Sequence, residues 1–110
     1  MAIQKQLTMT DGNQGNYWRV DVITDNVLRG KCSVVLNLYK DAALADDAKG
    51  SPVPGEFVMD SINVSLEGAE YPLNDTNLNG AGKTPAGEVY KEIRQLTNVR
   101  GIDFSSGQDV

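Results

Sequence analysis

The segment Lys31-Cys32-Ser33-Val34-Val35-Leu36-Asn37-Leu38-Tyr39 decides the fold. Cys32, Val34, Leu36 and Leu38 recur at every second position, the period that sends side chains to one face of a β-strand. Ser33, Val35, Asn37 and Tyr39 take the other face. Because Val35 and Tyr39 are apolar, that second face is expected to be partly covered, as for a strand inside a sheet.

The alternation continues towards the N-terminus. In residues 17–24, Trp18, Val20 and Val22 fall together, opposite Tyr17, Arg19 and Asp21, while Asp25-Asn26 and Gly30 bracket a short link containing Val27 and Leu28. In residues 3–10, Ile3, Leu7 and Met9 oppose Gln4, Gln6, Thr8 and Thr10, with Lys5 as an imperfection. Between these two segments, Asp11-Gly12-Asn13-Gln14-Gly15-Asn16 is dense in residues that tolerate positive φ and predicts a hairpin loop. Three strands with short links over 3–39 imply an antiparallel meander.

Beyond Tyr39 the pattern changes. Residues 40–55 are an excursion: Asp41 to Lys49 suits about two helical turns, too short to persist undocked, and Gly50-Ser51-Pro52-Val53-Pro54-Gly55 breaks any element. Residues 56–66 form a fourth strand region. Val58, Ile62, Val64 and Leu66 share a parity that Asp60 interrupts and that Phe57 and Met59 oppose, which predicts a bulge near Asp60-Ser61. A Gly/Asn-rich loop follows over 67–83.

Residues 84–100 predict a helix. Thr84 suits its N-cap and Pro85 its first position, Ala86, Val89, Tyr90, Ile93 and Leu96 form one apolar stripe, and Gly101 suits its end. The tail 101–110 is polar apart from Ile102 and Phe104 and is expected to fray or dock elsewhere. The expected class is α+β: a mainly antiparallel sheet of about four strands with one C-terminal amphipathic helix, in a single domain of 110 residues.

Composition excludes several functions. The net charge is −5 and the ten basic residues are scattered, which argues against binding nucleic acid or an anionic membrane surface. No apolar stretch approaches the roughly 20 residues that span a bilayer. Cys32 stands alone and the chain has no histidine, so the thiol lacks the partner that usually activates a nucleophile and reads as a small buried hydrophobe. No serine has a visible His–Asp framework, and no catalytic residue is assigned.

Two loop motifs invite chemistry. Gly82-Lys83-Thr84 before a helix resembles the end of a phosphate-binding loop, but the glycine required five residues earlier is Asn77, and Asp75-Thr76-Asn77 is no apolar strand. Asp75-Thr76-Asn77-Leu78-Asn79-Gly80 matches the front of a calcium loop. Its ninth position is Lys83 and its twelfth is Ala86, where a bidentate glutamate belongs. A turn-rich loop is the simpler reading, and no cofactor is expected. The alternative is a small module using Asp75, Asn77 and Asn79 for weak Ca2+ or carbohydrate binding.

The stretch Gly15-Asn16-Tyr17-Trp18-Arg19-Val20, after Met1-Ala2-Ile3-Gln4-Lys5 and a Gly/Asn turn, resembles small structural proteins of the tail and baseplate region of tailed bacteriophages. The likeness covers about the first forty residues. It implies a non-enzymatic virion component of tail, baseplate or connector, made in the host cytoplasm and located in the virion, whose partners are other virion proteins or copies of itself. The expected contact residues are Tyr17 and Arg19 on an outer sheet face, Tyr71 and Leu78 in the long loop, and Phe104 in the tail.

Overall fold

The computed structural model describes residues 2–10, 12–74 and 83–109. The fold is α+β. Strands β1 (Ile3–Thr8), β2 (Gln14–Asn26), β3 (Lys31–Tyr39), β4 (Asp60–Glu67) and β5 (Gln108–Asp109) form one antiparallel sheet in the order β4-β3-β2-β1-β5. Helix α1 (Ala42–Gly50) lies between β3 and β4, and helix α2 (Pro85–Ile93) follows the long loop. The meander of β1 to β3 is as the alternation requires, and β3 lies between two neighbours.

The fifth strand is a correction to the four expected, and it comes from the tail. Phe104 is fully buried, its ring edge-on to Trp18 at a centroid distance of 5.3 Å. Gly107 then lets the chain close on β1. A side chain there would start 2.9 Å from the main-chain oxygen of Gln4, a clash only glycine avoids. Arg94 fastens the segment by donating to the Phe104 carbonyl and, through Nε at 3.0 Å, to Asp109. The tail does not fray.

The bulges also differ from expectation. The β3–β4 ladder is regular from Leu38↔Asp60 to Lys31↔Glu67, so there is no bulge at Asp60-Ser61. The parity change has another cause: Pro54–Phe57 is a 3-10 turn, and β4 begins only after it. Irregularities fall instead in β1 between Gln4 and Leu7, around Lys5, and in β2 between Val20 and Val22. The extra residue in β2 exchanges the faces. Trp18 and Val20 pair with Leu38 and Leu36, but beyond the bulge Ile23 pairs with buried Val34, and Val22 pairs with Val35 on the outer face, 50% exposed.

The core occupies the face under α2. Trp18, Val34, Leu36, Leu38, Ile62 and Leu66 from the sheet meet Val89, Tyr90, Ile93, Ile102 and Phe104. Cys32 is buried among them. Burial of such side chains stabilises by roughly 1.5–3 kcal/mol each before entropy is counted. Helix α2 is shorter than the 84–100 expected, and Ala86 is exposed. Thr84 caps it, accepting from the Gly87 amide at 3.0 Å. Gly101 does not end the helix. Val99 and Ile102 exchange both main-chain bonds at 2.9 Å around Arg100 and Gly101, which both take positive φ (52° and 83°), a tight hairpin turn of the primed kind.

The residue 40–55 excursion is ordered by docking. Asp41 caps α1, accepting from the Leu44 amide at 3.0 Å, and Ala45 and Ala48 pack with Tyr39, Tyr17, Phe57 and Val58 on the sheet face opposite the core.

Candidate functional site

The densest polar cluster lies between the outer sheet face and α1. Arg19 of β2 pairs through Nε with Asp21 Oδ1, donates Nη1 to the Ala45 carbonyl of α1 at 2.7 Å, and donates Nη2 to Tyr39 Oη at 2.9 Å. Its guanidinium carbon stands 4.7 Å from the centroid of the Tyr39 ring. Tyr39 donates its hydroxyl to Asp21 Oδ2, which also accepts Asn37 Nδ2 at 2.7 Å; Ser61 Oγ of β4 in turn donates to Asn37 Oδ1. Three strands and one helix are tied together by one connected set of bonds.

The Val20–Val22 bulge lies within this set, since Asp21 is the extra residue between Arg19 and Val22. The side chains of Arg19 and Asp21 are only 13% and 19% exposed. Burial alone favours neutral forms, but the bonds outweigh it in both. Against burial, Asp21 raises the Arg19 pKa; against burial, Arg19, Tyr39 and Asn37 lower that of Asp21. Burial, then the neighbouring Asp21, raises the Tyr39 phenol. All three groups keep one protonation state around neutral pH, so the cluster acts there as a clamp on α1. A cleft of about 380 Å3 adjoins it, lined also by Ala48, Lys49 and Val58.

Tyr90 performs a related task from the core side. Its hydroxyl accepts the Val20 amide at 2.6 Å, just past the Trp18↔Ile3 pair where β1 begins. Burial pushes the phenol up to about 12.

The expected contact residues divide. Tyr17 and Arg19 do share a neighbourhood, yet both are engaged beneath α1. Tyr71 is half-buried against the core and donates its hydroxyl to Asp25 Oδ1 at 2.7 Å, near the far end of β2. Phe104 is a core residue and presents no contact surface, because its ring is the tail's anchor on Trp18. Leu78 and the loop residues Asp75, Asn77 and Asn79 lie outside the described residues. Among the described residues, no three His, Cys, Asp or Glu side chains group as metal ligands, and no helix is long and apolar enough to cross a membrane.

Three surface features escaped the sequence reading. The first is β4, an edge strand of eight residues with a strand neighbour on one side. The second is the β2–β3 hairpin tip, where Val27 and Leu28 are 75% and 95% exposed. The third is a cleft of about 300 Å3 between Asn13-Gln14, Lys40, Leu44 and the Glu56-Phe57-Met59 segment. An apolar pair within the turn was the one signal available for the tip.

No protein family, curated protein or solved structure matches the chain.

Proposed function

We propose that this chain is a non-enzymatic assembly subunit of a bacteriophage particle, in the tail, baseplate or connector, binding other virion proteins or copies of itself. The observation that carries assembly is the β4 edge. Edge strands are templates for pairing with another chain, and proteins that stay apart blunt them with proline, lysine or a bulge. Asp60-Ser61-Ile62-Asn63-Val64-Ser65-Leu66-Glu67 has none of these, and its charges stand only at the ends. Among the described residues two side chains cap the edge, both at Ser61: Asp60 Oδ1 accepts its amide at 2.9 Å, and Arg100 donates to its carbonyl at 3.3 Å. These contacts imply that odd-numbered residues aim their main-chain groups away from β3, because these groups alternate along a strand. The particle assignment is supported by the resemblance of the first forty residues.

The test is Asn63→Pro, which removes an outward amide while leaving the β3 ladder intact. We expect wild-type protein to associate with itself or with neighbouring gene products in light scattering, and to be found in particles by mass spectrometry. Asn63→Pro keeps the circular dichroism spectrum and loses that association. A protein that stays monomeric beside every neighbouring gene product and is missing from the particle is no virion subunit.

A further inference from the structure

Strand β2 runs from the cleft to the hairpin tip. Its 13 residues span about 40 Å at roughly 3.3 Å per residue, close to the 41 Å longest extent of the molecule. Gln14 therefore lines the cleft at one end, and Asn26 opens the tip at the other. The tip is built to hold its shape. Asn26 Oδ1 accepts the Arg29 amide at 3.2 Å, and Gly30 closes the turn in the left-handed region at φ 63°. Leu28 is 95% exposed there, beside Val27 at 75%. A fixed, protruding apolar pair is a different thing from a lone surface leucine.

The cleft has matching chemistry. Leu44, Phe57 and Met59 supply apolar wall, Asn13 and Gln14 supply polar groups, and Lys40 and Glu56 stand at the rim. Among the described residues Arg29, Lys31, Lys40 and Glu56 make no ion pair, although Lys31 faces Glu67 across the β3–β4 register, and Asp25 accepts from Tyr71. The tip thus offers an apolar pair beside the unpaired Arg29, and the cleft an apolar wall beside the unpaired Glu56, with Lys40 as a second unpaired charge at that rim.

We propose that the tip of one copy docks in the cleft of a second copy, Leu28 between Leu44, Phe57 and Met59, and Arg29 against Glu56. The proposal rests on the reading that copies of this chain assemble together. Because the two features lie at opposite ends of the long axis, one molecule cannot satisfy itself. The contact is head-to-tail and generates a ring or an open filament. A contact of this size is weak singly and gains strength through repetition or a shared scaffold.

Sedimentation equilibrium from micromolar to millimolar concentration tests it, using Leu28→Asp, Arg29→Glu and Glu56→Arg, all on the surface. We expect wild-type self-association to weaken at least tenfold in each variant alone. An equimolar mixture of Arg29→Glu and Glu56→Arg should recover it, since each mutant tip meets a cleft of opposite charge. Self-association that ignores all three substitutions, or a mixture that does not recover, overturns the head-to-tail contact and leaves assembly through β4 standing. A wild type monomeric to millimolar concentration also overturns it; assembly then concerns other virion proteins, which particle mass spectrometry decides separately.

Discussion

The two faces of the sheet are held by different physics. Under α2, stability comes from buried area, where Trp18, Phe104, Ile93 and their neighbours exclude water and tolerate small shifts. Under α1, two alanines and a few aromatic edges supply little area, and the helix is held by a directed bond from Arg19 to the Ala45 carbonyl, with Arg19 itself fixed by Asp21 and Tyr39. An area-based face fails as a unit, and a bond-based face opens locally. The cleft at the base of α1 belongs to the second kind, a place where a partner finds an adaptable wall.

The sharpest test of this contrast is Phe104→Ala. Phenylalanine-to-alanine changes in a core cost about 3–5 kcal/mol, and here the same change removes the tail's anchor on Trp18. Urea denaturation should show that loss as a global drop in stability, together with increased amide exchange throughout β1 and β5. A cost below about 1 kcal/mol would mean that the tail is an accessory to the core, and the contrast between faces would collapse.

Tyr90→Phe asks whether the core face also depends on directed bonds. The ring stays, but the Val20 amide loses its acceptor beside the bulge, and a part-buried donor left unsatisfied costs about 1–3 kcal/mol. We expect a loss at the lower end of that range. The sign of its pH dependence follows from the raised phenol. The contribution is complete below the ordinary tyrosine value of 10.0 and fades as pH rises through about 12. Wild type should therefore lose more stability than Tyr90→Phe between pH 10 and 12. Identical alkaline profiles would assign Tyr90 to packing alone.

The sequence was legible wherever a single period governed a whole element. Residues 31–39 alternate without a fault, and their strand is regular. Parity counting misplaces Val22 because it cannot register an inserted residue, and the bulge is fixed by Asp21 bonding Arg19, which reaches α1. The tail was opaque for a related reason. Gly107 has meaning only once Gln4 is known to pass beside it, and Phe104 only once Trp18 faces it. Arg19 and Tyr17 were recognised as outward residues; that α1 would cover them depends on a helix whose docking needs Tyr39, 20 residues further along the chain from Arg19. Local pattern fixes strands, and the bonds between elements fix which surfaces remain free.

Asp21→Asn produces the smallest change and is the most diagnostic of the outer face. The carboxylate is held below its ordinary value of 3.8 despite burial, by Arg19, Tyr39 and Asn37. A depressed pKa gives stability that is present above about pH 4 and is lost as pH falls through the folded value. Because the site is partly solvated, the global effect at neutral pH should stay within about 1 kcal/mol. The local effect should be larger: amides of α1 exchange faster in Asp21→Asn at pH 7, while those under α2 do not change. On acidification the wild-type α1 should approach the exchange rates of the variant, since protonating Asp21 removes the charge that the asparagine already lacks. If protection falls equally on both faces, the two layers form one cooperative unit, and the cleft beneath α1 is as rigid as the core.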